Sequence, residues 1–286
     1  MNVGAIPWSL EVGPDAVWIL NRYPPTVQRV DPQRLAVRGR VRLGVDSWDL
    51  AAGSSALWVA PNGRDGRLRR VDLDARRVRA RIGGGRVILS NFVAAGAGRV
   101  WAGTDERIAQ GRGVFEIDPE RNAVVGHRIP TASDIQDIVV SFGSVWVADH
   151  SAALVTRIDP RSRKVIATIR VGGAPHGLTV GPSSVWVALW HESQLEEIDP
   201  ATNATRGKPL QLDFPPLPMV ADYRSLWVGE AAFDHATPTS LLVRLDLRTR
   251  QVLQRLIVRG LIFDLGVQDR ALWVGAGSPP RLLRVC

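Results

Sequence analysis

Seven short apolar segments each carry a tryptophan at the same internal place: AVWIL, ALWVA, RVWAG, SVWVA, SVWVA, SLWVG and ALWVG. The tryptophans are Trp18, Trp58, Trp101, Trp146, Trp186, Trp227 and Trp273, at successive spacings of 40, 43, 45, 40, 41 and 46 residues. A chain that repeats itself on this period is built from one supersecondary unit stacked on copies of itself, because a unit this small cannot bury its apolar face alone. Each unit reads alike. An alternating strand such as HGLTVG (176–181) is followed by a tight turn and the Trp strand, then by a variable loop and a strand ending in VDP or IDP. A fourth strand rich in Val, Ile and Arg closes the unit, as in VTRIDPRSRKVIATIRV (155–171), where Asp159 and Pro160 supply the turn chemistry. No helical period of 3.6 survives over a useful length. The expected architecture is all-β: one seven-bladed propeller domain of four-stranded blades spanning 1–286.

The opening stretch VGAIPWSLEVGPDAVW (3–18) matches VGGAPHGLTVGPSSVW (171–186) at nine of sixteen positions, so the chain begins inside the repeated phrase. At the other end, RLLRVC (281–286) is a third strand with no fourth after it. The expectation is that Met1 to Gly4 completes the last blade and closes the ring, which removes open sheet edges.

Composition narrows the function classes. With 45% apolar residues the chain can bury a core, and its one cysteine, Cys286, rules out an internal disulfide and a CxxC metal knuckle. The net charge of +8 is arginine charge, Lys164 and Lys208 being the two lysines. Arg64, Arg67, Arg69, Arg70, Arg76, Arg77, Arg79, Arg81 and Arg86 crowd one stretch, where they alternate with Leu68, Val71, Val78 and Ile82. That pattern reads as the solvated face of outer strands. Without an interleaved aromatic platform, nucleic acid is not the expected partner. The first residues lack a basic n-region and an apolar h-region, and no run approaches the roughly 18 apolar residues of a membrane span. As written the chain is expected to be cytoplasmic, or secreted if a signal peptide has been removed, and monomeric.

Strand direction places a site. In an antiparallel blade the start of the first strand and the end of the second lie on one face, around the mouth of the central channel. Counting ten residues back from each repeat Trp selects Trp8, Trp48, Asn91, Gln136, His176, Leu217 and Phe263. Leu217, Phe263, Trp8 and Trp48 come from four consecutive blades and give an apolar half; Asn91, Gln136 and His176 give a polar half. Three tryptophans fall outside the repeat, Trp8, Trp48 and Trp190, and all belong to this face. So do His150, His176, His191 and His235, with Asp149, Glu192, Glu230 and Asp234 nearby in sequence. Such an arc suits a divalent cation, Mg or Ca, on His150, His191, Glu230, His235 and Asp149, or a general base near neutral pH. It equally suits polar loop tips with no task. Asp137 and Asp264 begin first strands and can face a cation in the channel or accept backbone hydrogen bonds.

The recurring VGxxPxGLxVGxxSVWVA and RIDPxTxxV phrases resemble the seven-bladed propellers of the virginiamycin B lyase and YVTN-repeat type along essentially the whole chain. The lyase resemblance implies a magnesium-assisted β-elimination on a cyclic depsipeptide, with a catalytic His in a Pro-His-Gly phrase and two acidic partners. Pro175-His176-Gly177 keeps that His, but the acidic positions hold Ala174 and Trp190, with His191 and Glu192 following. Three function classes stand side by side. The first is a binding or sensory propeller that holds a partly apolar small molecule or peptide at the mouth through Trp8, Trp48, Asn91, Gln136, Trp190, Leu217 and Phe263. The second is a lyase-like or lactonase-like enzyme using His176, Glu192 and a cation, and the third is a protein-interaction scaffold.

Overall fold

The computed structural model describes residues 1–53, 55–62, 65–72, 77–85, 87–89, 91–104, 111–231, 239–269 and 271–285. The first blade is β1 (Pro7–Gly13), β2 (Ala16–Asn21), β3 (Thr26–Asp31) and β4 (Ala36–Arg42). The second is β5 (Ser47–Ala52), β6 (Ala56–Pro61), β7 (Arg67–Asp72) and β8 (Arg77–Gly83). The third is β9 (Val93–Gly96), β10 (Arg99–Gly103), β11 (Gly113–Asp118) and β12 (Ala123–Pro130), and the fourth β13 (Ile135–Ser141), β14 (Ser144–Asp149), β15 (Leu154–Asp159) and β16 (Lys164–Arg170). In the fifth, β17 (Pro175–Val180), β18 (Val185–Leu189) and β19 (Gln194–Asp199) precede an outer strand broken into β20 (Ala204–Thr205) and β21 (Leu210–Gln211). The sixth is β22 (Pro216–Ala221), β23 (Ser225–Glu230), β24 (Thr239–Asp246) and β25 (Val252–Arg259), and the seventh β26 (Ile262–Gln268), β27 (Ala271–Ala276) and β28 (Arg281–Val285). All neighbouring strands pair antiparallel in chain order, and the first strands of the seven blades touch one another in a closed cycle. They therefore line the centre of a propeller.

The ring closes through the N-terminus. Asn2 bridges Arg281, Val3 N donates to Pro280 O, and Leu282 N donates to Met1 O at 3.0 Å. Val3 is buried with Leu10, Val17, Trp273 and Leu282. The expected fourth strand is thus a single bridge held by apolar packing.

Each repeat Trp fills the gap to the next blade. Trp146 is fully buried and packs with Val185, Val187 and Ile198, and Trp101 does the same with Val145, Val147 and Ile158. The third-to-fourth-strand hairpins obey their own rule. In the first, third, fourth, fifth and sixth blades each begins at an Asp whose carboxylate accepts the amide two residues on, as Asp159 does from Arg161 and Asp199 from Ala201. Each ends at a residue with positive φ, 52° at Asn122, 57° at Arg163, 56° at Asn203 and 61° at Arg250.

On this turn face the blades interlock through two pairings. The Trp strand's partner on the third strand is Arg70 or Arg157 in the second and fourth blades. These arginines lie over Trp58 and Trp146 and reach the next blade's turn, Arg70 Nη1 to Pro119 O (2.8 Å) and Asn122 Oδ1 (2.9 Å), Arg157 Nη1 to Pro200 O (2.6 Å) and Asn203 Oδ1 (2.7 Å). In the third and fifth blades the same place holds Glu116 and Glu197. There the polarity reverses: Arg163 from the fourth blade's turn reaches back to Glu116 at 3.0 Å, and Arg250 from the sixth blade's turn lies over Trp186.

The arginine-rich stretch is only partly the solvated face expected of it. Arg77, Arg79 and Arg81 are exposed and alternate with Val78, Ala80 and Ile82 along β8. Arg69 instead is 2% exposed, its guanidinium donating to Leu43 O, Arg67 O and Asp65. Arg70 is consumed by the interlock. Arg64, Arg76 and Arg86 lie outside the described residues.

Candidate functional site

The residues ten before each repeat Trp share a structural event. In the first, second, fourth, fifth, sixth and seventh blades the register between first and second strands slips at that residue: Trp8, Trp48, Gln136, His176, Leu217 and Phe263 are each skipped by the ladder. A β-bulge leaves one residue unpaired and re-aims its side chain. In the third blade Asn91 has φ of 67°, with the paired strand beginning at Val93. The mouth is therefore a ring of seven positions released from the sheet pattern.

The next residue inward does the opposite. Asp49, Asp137 and Asp264 follow Trp48, Gln136 and Phe263, and each carboxylate accepts two backbone amides, its own neighbour's and one from the next blade. Asp264 takes Leu265 N (2.8 Å) and Leu10 N (2.6 Å), Asp137 takes Ile138 N and Leu178 N (both 2.7 Å), and Asp49 takes Leu50 N (2.7 Å) and Val93 N (2.9 Å). Of the two roles open to Asp137 and Asp264, they perform the second. Depth inside the protein pushes the pKa of Asp137 up to about 6 and of Asp264 to about 7, and that of Asp49 well up, against the lowering effect of the amides.

The apolar half of the mouth is an aromatic cluster with a cation in it. Trp8 meets Trp48 edge-on at 4.9 Å and Phe263 at 5.3 Å between ring centres. Phe263 lies over Gly277, where a β-carbon would come within 2.5 Å of the ring, so glycine is required there. The Arg22 guanidinium stands 4.6 Å from the Trp8 ring and 4.9 Å from the Trp48 ring, and its side chain is 17% exposed. Asp46 receives its Nε at 3.1 Å and is itself held by Asn62 Nδ2 at 2.8 Å, while Nη1 and Nη2 have no hydrogen-bond partner among the described residues. Leu217 is partly buried against Gly177 of the neighbouring blade and belongs to the core there.

The opposite side gathers imidazoles. His176 and His150 lie 4.3 Å apart, with Nδ1 to Nδ1 at 3.0 Å. His150 Nδ1 also meets Pro175 O at 3.4 Å. A carbonyl only accepts, so the tautomer with the proton on His150 Nδ1 is the one that satisfies both contacts at once. His176 stacks on Trp190 at 5.0 Å and 14°, and His191 stands 5.8 Å from it. Burial first, then the neighbouring His150 and His191, pull the pKa of His176 down to about 4, so it is a neutral base at physiological pH. Asp134 sits beneath this group. Burial works to raise its pKa, but Ser151 Oγ and N–H bonds outweigh that and leave it below the usual carboxylate range.

The remaining candidates are placed elsewhere. Asp149 is fully buried, its oxygens accepting from Ser133 N and Thr156 Oγ1. Glu230 accepts Leu241 N at 2.8 Å. Glu192 lies against Gly173 and beside Glu196, whose pKa is raised by burial and by the Glu192 charge. His235 and Asp234 lie outside the described residues. Among the described residues no group of three or more His, Cys, Asp or Glu is arranged to hold a metal ion. Two site residues escaped the sequence reading, Arg22 and Asp134. Arg22 was findable: it stands four after Trp18, the same register as His150 after Trp146 and Trp190 after Trp186.

No protein-family model matches the chain, and no curated protein matches its sequence. Solved structures do resemble it in shape. The structure titled Kuenenia stuttgartiensis hydrazine synthase superposes with a TM-score of 0.79 at 15% identity, covering 100% of this chain and 97% of that one. The structure of U3-55K gives 0.77 at 12% identity over 96% and 90%, and that of the RRP9 WD40 repeats gives 0.77 at 11% over 96% and 88%. At such identities the likeness shows the fold, a seven-bladed propeller with WD40-repeat neighbours, and no activity.

Proposed function

We propose that this propeller is a binding module whose mouth takes a partly apolar small molecule or peptide segment bearing an anionic group. Trp8, Trp48 and Phe263 would hold the apolar part and Arg22 the anion. The observation that carries the reading is the Arg22 guanidinium, held by Asp46 against two indoles, its Nη atoms without a hydrogen-bond partner among the described residues. A guanidinium so placed offers a charge-assisted fork beside an aromatic wall. WD40-repeat neighbours favour the broader class, interaction with peptides or proteins.

The lyase-like reading is less well supported. Trp190, where the resemblance asks for a carboxylate, stacks on His176, and His176 Nδ1 is engaged by His150. Among the described residues the donor set around His176, imidazoles and an indole, does not fit magnesium, which prefers oxygen ligands.

The test uses indole-3-acetate and its uncharged amide as probes, followed by protein fluorescence. Saturable quenching by the acid is expected, with about tenfold weaker binding of the amide and of the acid to Arg22→Gln, as one charge-assisted hydrogen bond implies. Equal binding of both probes, or quenching unchanged in Trp8→Ala/Trp48→Ala, would place the ligand elsewhere.

A further inference from the structure

The third and fifth blades share a buried glutamate opposite the repeat Trp, and they neutralise it from different sides. In the third blade Arg99, two before the repeat Trp, reaches Glu116 at 2.8 Å from the start of the Trp strand. In the fifth blade that place holds Ser184. Glu197 takes its guanidinium instead from Arg206, at the break that follows β20, which reaches Glu197 at 2.9 Å and Asp199 at 3.0 Å. The inner side of Glu197 is left without an arginine. Ser184 and Glu197 there line a cavity of about 710 Å³ on the turn face, between the fifth blade and the sixth. Its other walls come from the turns at 223–224 and 246–250 of the sixth blade.

Two acids and four arginines line this cavity, and most of that charge is already spent. Glu197 is held by Arg206, and Asp246 accepts Arg248 N, Thr249 N and Thr249 Oγ1 at 2.9, 2.7 and 3.0 Å within its own turn. Arg250 lies over Trp186 and donates to Lys208 O at 2.8 Å. Two guanidiniums are left. Arg224 lies 5.7 Å from its own Tyr223 ring and Arg248 stands on the Asp246 turn, and neither guanidinium has a hydrogen-bond or ion-pair partner among the described residues. Ser183 and Ser184 bring hydroxyl groups to the same walls, and Tyr223 is 62% exposed. The unused capacity is therefore for an anion: the carboxylates are engaged, and the free charges are cationic.

We propose that this cleft between the fifth and sixth blades binds a small phosphate monoester, a nucleoside monophosphate in the first instance, with Arg224 and Arg248 on the phosphate and Tyr223 against the base. Guanidinium groups match phosphate oxygens in geometry as well as charge, and an exposed tyrosine ring offers a stacking surface at low entropic cost. The volume is that of a small-molecule site. The cleft lies on the face opposite the channel mouth and does not depend on the ligand of Trp8, Trp48 and Arg22.

The full chain is titrated by calorimetry with adenosine 5′-monophosphate, adenosine and ribose 5-phosphate. Saturable binding of the nucleotide is expected with a Kd on the order of 100 μM, weakened about tenfold by Arg224→Gln and by Arg248→Gln. Adenosine should bind about tenfold more weakly still to the unaltered protein, an arm that needs no variant to fold. Tyr223→Ala should weaken the nucleotide and leave ribose 5-phosphate unchanged; equal binding of those two ligands to the unaltered protein overturns the base contact. Arg77→Gln/Arg81→Gln removes two exposed charges from the second blade and should change nothing, so an equal loss there would mean general attraction to a basic chain and overturn the site. Loss of nucleotide binding in Arg22→Gln would put the phosphate in the mouth and overturn it likewise. So would the absence of binding at millimolar nucleotide, or binding indifferent to both Arg224 and Arg248.

Discussion

The two faces of the propeller use the same strands in opposite ways. On the turn face the first, third, fourth, fifth and sixth blades repeat one device, an Asp-led hairpin packed toward the preceding blade. On the mouth face the residue at one equivalent point changes around the ring, from Trp8 and Trp48 through Asn91, Gln136 and His176 to Leu217 and Phe263. The switch takes place between adjacent residues: Trp48 is skipped by the ladder while Asp49 knits two blades together. What is uniform around the ring maintains the ring, and what varies is available for recognition.

The sharpest way to break this contrast is to truncate one tryptophan of each kind. Trp146→Ala empties a fully buried inter-blade site and is expected to cost about 3–5 kcal/mol in chemical denaturation. Trp48→Ala, on the mouth, should cost about 1 kcal/mol, the worth of its ring contacts with Trp8 and Arg22. Equal losses would erase the distinction. The interlock gives the next test. Glu116→Arg sets a buried cation against Arg99 and Arg163, at a cost of about 3 kcal/mol. Adding Arg99→Ser and Arg163→Asn recreates the pairing of the fourth and fifth blades and should recover most of that loss, as coupled neighbours do. A triple variant no more stable than Glu116→Arg would refute the idea of two interchangeable pairings.

The channel acids give a pH dependence of opposite sign to the usual carboxylate. Their folded pKa values are raised, so the stability they contribute is complete below about pH 4 and is lost as pH rises through about 6 for Asp137 and about 7 for Asp264. Partial access from the channel reduces the effect to about 1–3 kcal/mol between pH 4 and 8. Asp264→Asn should flatten that slope; an unchanged slope would locate the titration elsewhere. A smaller effect belongs to the histidine arc. His176 should titrate near pH 4 by imidazole proton NMR, and a midpoint above 6 would contradict its buried, His150-bonded placement.

Legibility in the sequence followed the same divide. The Trp period, the Asp-Pro turns and the N-terminal half-phrase announced the seven blades and their closure, because repetition makes a packing rule visible. The ring of mouth positions was also readable by counting from the repeat Trp. The bulges were not, since one skipped residue leaves no mark on an alternating pattern. Arg22 and Arg69 escaped because a charged residue reads as solvent-facing until a partner such as Asp46, or a carbonyl such as Leu43 O, is known to meet it. Asp134 escaped because its link to His150 and His176 runs through the fold and not along the chain. The short closing bridge at Asn2 shows the limit of length arguments, for apolar packing of Val3 replaces most of a strand's ladder.

The central claim is that recognition resides in the residues that break the repeat, and the indole N–H signals of the ten tryptophans test it directly. With 15N-labelled protein titrated with indole-3-acetate, Trp8 and Trp48 are expected to shift and saturate together, while the seven repeat tryptophans stay in place. Shifts confined to the repeat tryptophans, or no shift at millimolar probe, would contradict the account.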